Sequence, residues 1–117
     1  MTYKFDEEEI IFHIDAKTLK IAKEKAKNEG YDSVEDYAQH LIYRMINEIY
    51  PDSQSCAEIE DSLRTTLKGN KISEDHIAAY CHYMKGKSLL EIEKILSIPH
   101  NEVNTLINDI RKIINKP

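Results

Sequence analysis

Residues 10–42, IIFHIDAKTLKIAKEKAKNEGYDSVEDYAQHLI, decide how the N-terminal half folds. Ile10, Phe12 and Ile14 alternate with Ile11 and His13, and Glu9 extends the alternation backwards. β-branched and aromatic types at period two predict a strand over Glu8 to Ile14. One strand alone leaves its backbone donors and acceptors unpaired, and no second strand follows in the sequence. It is therefore expected to pair with the same strand of another copy, or with a partner protein. Asp15 can cap a helix running to about Asn28, with Leu19, Ala22 and Ala26 as its apolar stripe and Gly30 beyond its end. Ser33 caps a second helix. Val34, Tyr37, Ala38, Leu41, Ile42, Met45, Ile46 and Ile49 give that helix a face wide enough to predict burial on two sides.

Outward from this stretch, Pro51-Asp52-Ser53 interrupts the periodicity and marks a boundary between residues 1–50 and 51–117. Four more helices are expected. The third spans about Gln54 to Lys68 with Ala57, Ile59, Leu63 and Leu67 apolar. The fourth, Glu74 to Lys85, is capped by Ser73 and carries Ile77, Ala78, Tyr80, Cys81 and Met84. A short fifth runs from Ser88 to Leu96. After Ser97-Ile98-Pro99 a last helix reaches about Asn115, its inner face Val103, Leu106, Ile107, Ile110 and Ile114.

Composition limits the possible functions. Of 117 residues, 41% are hydrophobic and 32% charged, with 3 Gly and 3 Pro, which excludes a disordered or loop-rich chain. A chain this short buries only about two-thirds of its unfolded surface, so association with a second copy would relieve a marginal monomer. No apolar run approaches the ~20 residues of a membrane span, and the acidic N-terminus lacks a basic targeting segment. The two cysteines, Cys56 and Cys81, have no metal-ligand spacing and fit a reduced, cytoplasmic protein. His76 and His82 stand six apart on one helix and cannot share a ligand face, so no metal and no cofactor are expected. No phosphate loop or nucleophile motif is present, which argues against an enzyme.

The strand, helix, Gly30 and Ser33-capped helix resemble a ribbon–helix–helix domain, over roughly residues 8–49. The resemblance implies an intertwined dimer, with Ile10, Phe12, Ile14, Leu41 and Met45 at the dimer core and the outward strand face in the major groove of DNA. That outward face is here Glu9, Ile11 and His13, preceded by Asp6, Glu7 and Glu8. Residues 1–50 hold 7 Lys+Arg against 11 Asp+Glu. Carboxylates aimed at phosphates repel, so this face is expected to serve dimerisation, or a protein partner, rather than base reading.

Residues 72–114 resemble a tetrahelical helix-turn-helix of the LuxR or sigma-region-four kind. Ile92, Leu96, Ile98, Val103 and Leu106 match its apolar spacing. Glu93 stands where the motif carries a small residue, and Ser97 where it carries the turn glycine. The resemblance makes the last helix a recognition helix, with His100, Asn101, Asn104, Thr105, Asn108, Arg111 and Lys112 toward DNA. Residues 84–117 carry 6 Lys+Arg against 4 acids, a weakly positive segment in a chain of net charge -5. The expected architecture is thus mainly all-α, one strand pairing across a homodimer followed by a helix-turn-helix. The expected function is a dimeric transcriptional regulator bound to duplex DNA. The alternative is an adaptor or anti-activator that keeps both folds and binds protein.

Overall fold

The computed structural model describes residues 8–11, 13–52 and 55–114. Among the described residues there are six helices: α1 (Ala16–Asn28), α2 (Val34–Ile49), α3 (Cys56–Thr66), α4 (Glu74–Met84), α5 (Leu89–Leu96) and α6 (His100–Ile114). Each of the first five starts at a side-chain cap of the expected type. Asp15 accepts from the Thr18 N–H, Ser33 from Asp36, Ser55 from Glu58, Ser73 from His76 and Ser88 from Glu91. These caps satisfy N–H groups that the first turn of a helix otherwise leaves open.

The expected strand is not found. Among the described residues there is no sheet, and residues 8–11 and 13–15 form a non-helical lead into α1. Ile10, Ile11 and Ile14 are exposed, and Phe12 lies outside the described residues. The physical reason is pairing. Alternation prepares a segment to lie in a sheet, but the ladder needs a second backbone, and the described residues offer none.

α4 is the centre of the fold and packs against α2, α3, α5 and α6. Ile59 and Leu63 of α3, Ile92 of α5, and Val103 and Ile110 of α6 are fully buried around it, together with Tyr80, Cys81 and Tyr83 of α4 itself. Periodicity named most of this core. The exceptions sit on neighbouring positions: Ala57 is exposed, Ala79 is buried more deeply than Ala78, and Tyr83 replaces surface with core. α1 packs on α2, and α2 packs on α4. Gly86, between α4 and α5, makes this approach possible. Its φ is +86°, and a Cβ there would stand 2.7 Å from the Cα of Arg44 in α2.

The expectation of burial on both sides of α2 is not met. Tyr37 and His40 are buried, whereas Leu41, Ile42, Met45 and Ile49 remain 44%, 41%, 49% and 57% exposed. No helix among the described residues is long and apolar enough to cross a membrane.

Candidate nucleic-acid interface

The α5–α6 corner begins with a reciprocal cap. Ser88 accepts from the Glu91 N–H while the Glu91 carboxylate accepts from the Ser88 N–H. α5 then runs for two turns and stops at Ser97, whose φ of 55° and ψ of 44° place it in the left-handed region. No other non-glycine residue among those described has a positive φ. Ser97 thus takes the conformation that a glycine takes most cheaply, and accepts the steric cost of its Cβ. The Ile98 N–H closes the turn onto the Glu93 carbonyl at 3.3 Å, and the Pro99 carbonyl accepts the first bonds of α6 from Glu102 and Val103. α5 packs against α6, and Ile92 of the one and Val103 of the other are both fully buried.

Glu93 occupies the position where a small residue would sit between the helices. Its carboxylate lies 3.6 Å from Nδ1 of His100. At that separation neither is a hydrogen-bond partner of the other.

α6 has three faces. Val103, Leu106, Ile107 and Ile110 form the buried one. A second, polar face is turned to the α1–α2 corner. His100 donates from Nε2 to the Gly30 carbonyl at 3.0 Å, and the Asn104 amide donates to the same oxygen at 3.3 Å. Gly30 is required here twice over: its φ is +82°, and a Cβ would run into the His100 ring. Seven residues on from Asn104, Arg111 donates to Asp36 at 2.9 Å and lies 5.6 Å from the centre of the Tyr83 ring. The Tyr83 hydroxyl, its pKa driven up by burial, donates to Gln39 at 2.8 Å. Together these contacts fasten α6 to the N-terminal helices.

The third face looks outward. Asn101, Thr105 and Lys112 are exposed and Asn108 is half-buried. Spaced four, three and four residues apart, they form one stripe along the helix, with Asn108 at its edge. Asn101 and Thr105 make only local bonds: Asn101 Oδ1 accepts from the Glu102 N–H, and Thr105 donates to the Asn101 carbonyl. Lys94 on α5 and Lys87 before it are also exposed, as is Glu102.

The structure therefore divides the seven residues expected at DNA. Asn101, Thr105 and Lys112 share the open stripe, Asn108 is half-buried at its edge in a small cleft with Asn104 and Arg111, and His100, Asn104 and Arg111 are held by Gly30 and Asp36. The periodicity of α6 could not reveal this, because Gly30 and Asp36 come from the other half of the chain. Arg111 accordingly adds little positive potential, since Asp36 neutralises it at contact distance.

Two further histidines are held by their neighbours. The Ser73 N–H donates to Nδ1 of His76 at 3.2 Å, which leaves Nε2–H to donate to Asp109 at 3.0 Å. His40 is buried beside the rings of Tyr31 and Tyr37, which also touch each other, and burial lowers its pKa. No group of three His, Cys, Asp or Glu among the described residues could hold a metal ion. Compared with known proteins, the chain matches no family model, no curated protein and no solved structure.

Proposed function

We propose that this chain is a cytoplasmic, dimeric transcriptional regulator that presents the outward stripe of α6 to duplex DNA. The observation that carries the reading is the α5–α6 corner. A left-handed Ser97 and the packing of α5 against α6 hold two helices as a helix-turn-helix would, and the first turns of the second helix expose Asn101 and Thr105. Asparagine can pair with adenine through two hydrogen bonds, and threonine can meet a thymine methyl or a phosphate. Lys112 lies about 16 Å beyond Asn101 along the helix at 1.5 Å per residue, where only the backbone of the duplex is within reach. Dimerisation is proposed through the exposed face of α2, Leu41, Ile42, Met45 and Ile49, with Ile10 and Ile14 exposed on the lead into α1.

Titration of the full chain against a duplex selected from a random pool, at two salt concentrations, tests this. Asn101→Ala is expected to cost about 1–3 kcal/mol and to relax the preference at one base pair. Lys112→Ala is expected to weaken all sequences alike and to lower the salt slope by about 1. Selection that yields no preferred duplex would remove the reading.

A second reading is a protein-binding adaptor that keeps the helix-turn-helix topology. Two observations favour it. His100, Asn104 and Arg111 are engaged by the chain's own N-terminal half. The lead into α1 exposes Glu8, Glu9, Ile11 and His13, an acidic and apolar surface suited to a basic protein partner. Under this reading neither substitution in α6 alters any DNA complex.

A further inference from the structure

The two cysteines stand 25 residues apart in sequence, yet α3 packs against α4 and brings them together. Cys81, fully buried in α4, points its thiol at the start of α3. Sγ lies 3.7 Å from the carbonyl oxygen of Cys56, and the Cys56 thiol is its side-chain hydrogen-bond neighbour. Both cysteines are free thiols. Cys56 is half-buried and is the first residue of α3, directly after the Ser55 cap. No preceding helical turn crowds it, so side-chain rotamers closed to a mid-helix residue are open there. A disulfide demands close approach and a narrow range of torsions, and the choice of rotamers at Cys56 is what lets the pair meet those demands.

We propose that Cys56 and Cys81 are a redox-sensitive thiol pair, closed to an intramolecular disulfide by a low-molecular-weight disulfide. The less buried Cys56 reacts first. As its thiolate, it attacks one sulfur of the small disulfide. The small S–S bond breaks, one small thiolate leaves and takes a proton, and a mixed disulfide remains on Cys56. Cys81 then loses its proton, attacks Sγ of Cys56 and expels the second small thiol. Two protein thiols become one disulfide and one small disulfide becomes two thiols, so electrons and protons balance. Burial pushes the Cys81 thiol up, with Glu60 adding to the effect and Lys85 opposing it. The second step is therefore the slow one, and Cys81 does not react on its own. The closed bond would tie the start of α3 to the C-terminal half of α4, leaving the outward stripe of α6 untouched. The inference is thus independent of the DNA reading.

The test uses the folded full chain, oxidised glutathione, alkylation of residual thiols and a peptide map without reduction. The expected product is a monomeric chain lighter by two hydrogens, with one cross-linked peptide joining Cys56 to Cys81, reversed by dithiothreitol. Cys81→Ser is expected to stop at a glutathione adduct on Cys56. Cys56→Ser, checked as folded by circular dichroism, is expected to leave Cys81 unmodified. Two thiols still open to alkylation in the unmutated chain would overturn the proposal. So would a persistent adduct on Cys56 with Cys81 intact, or disulfides between chains. The map of the unmutated chain decides the matter whether or not either variant folds.

Discussion

α6 and α2 are both amphipathic, and the structure treats them differently. α6 buries Val103, Leu106, Ile107 and Ile110 against α4 and α5. α2 buries Tyr37 and His40 but leaves Leu41, Ile42, Met45 and Ile49 in the open. Hydrophobic period therefore identifies a helix and its apolar side, but not what covers that side. In the C-terminal half a central helix supplies the cover. In the N-terminal half α1 and α4 reach only part of α2, and the remainder is a surface on which association would remove apolar area from water.

The contrast is broken most severely at its centre. Ile92 is fully buried on α5, which packs against α6. Ile92→Ala is expected to cost about 2–5 kcal/mol, the lost transfer energy plus that of the cavity left behind. Denaturant titration by circular dichroism measures it. A cost like that of a surface residue would mean that the α5–α6 corner is not the rigid unit described.

Gly86→Ala attacks the junction between the two regions. A methyl group there enters backbone contact with Arg44, and the alanine must hold a φ near +86°. The combined strain and displacement are expected to cost about 1–3 kcal/mol. Amide exchange locates the damage: protection should fall in α2 and α5 and persist at the α3–α4 contact. Uniform loss throughout the chain would show instead that the helices unfold as one block.

Much of the helical framework was legible in the sequence, for a physical reason. Caps act over three residues, so Asp15, Ser33, Ser73 and Ser88 mark helix starts without reference to the rest of the fold. The same holds for the turn at Ser97 and for the core side of α6. The strand over Glu8 to Ile14 failed because alternation is local and pairing is not. The inward set of α6 failed for a related reason: Gly30 lies 70 positions before His100, and Asp36 lies 75 before Arg111. Composition offers no trace of either contact. A Gly between two helices signals the end of α1, not an oxygen waiting for an imidazole.

A smaller effect concerns acid. Burial lowers the pKa of His40 in α2 and of His82 in α4 from the ordinary 6.5. Arg44 also lowers that of His40, while Glu29, Glu91 and a bond to the Lys87 backbone oppose it. Below 6.5 the unfolded chain takes up protons that these folded imidazoles refuse. Stability is therefore complete above 6.5 and declines as pH falls through that value toward the lowered folded pKa. His40→Phe keeps a ring against Tyr31 and Tyr37 but cannot titrate, and is expected to flatten part of the decline even though it loses the bond to Lys87. Denaturant midpoints between pH 5 and 8 test this, and an unchanged slope in the variant would remove His40 from the account.

The smallest effect on the fold is also the sharpest test of α2. Met45 is 49% exposed in the single chain, so its side chain has little left to lose when replaced. Met45→Lys is expected to change the stability of the dilute monomer by less than about 0.5 kcal/mol. Association behaves otherwise. If a second copy covers Leu41, Ile42, Met45 and Ile49, the unfolding midpoint of the unmutated chain rises with protein concentration, because only the folded state binds. A lysine at the middle of that face must then be desolvated without a partner, which disfavours the dimer far more than the monomer. Sedimentation of the two chains across a range of concentrations should show the unmutated protein shifting to a dimer while the variant does not. Two identical profiles would mean that the open face of α2 meets something other than a second copy of itself.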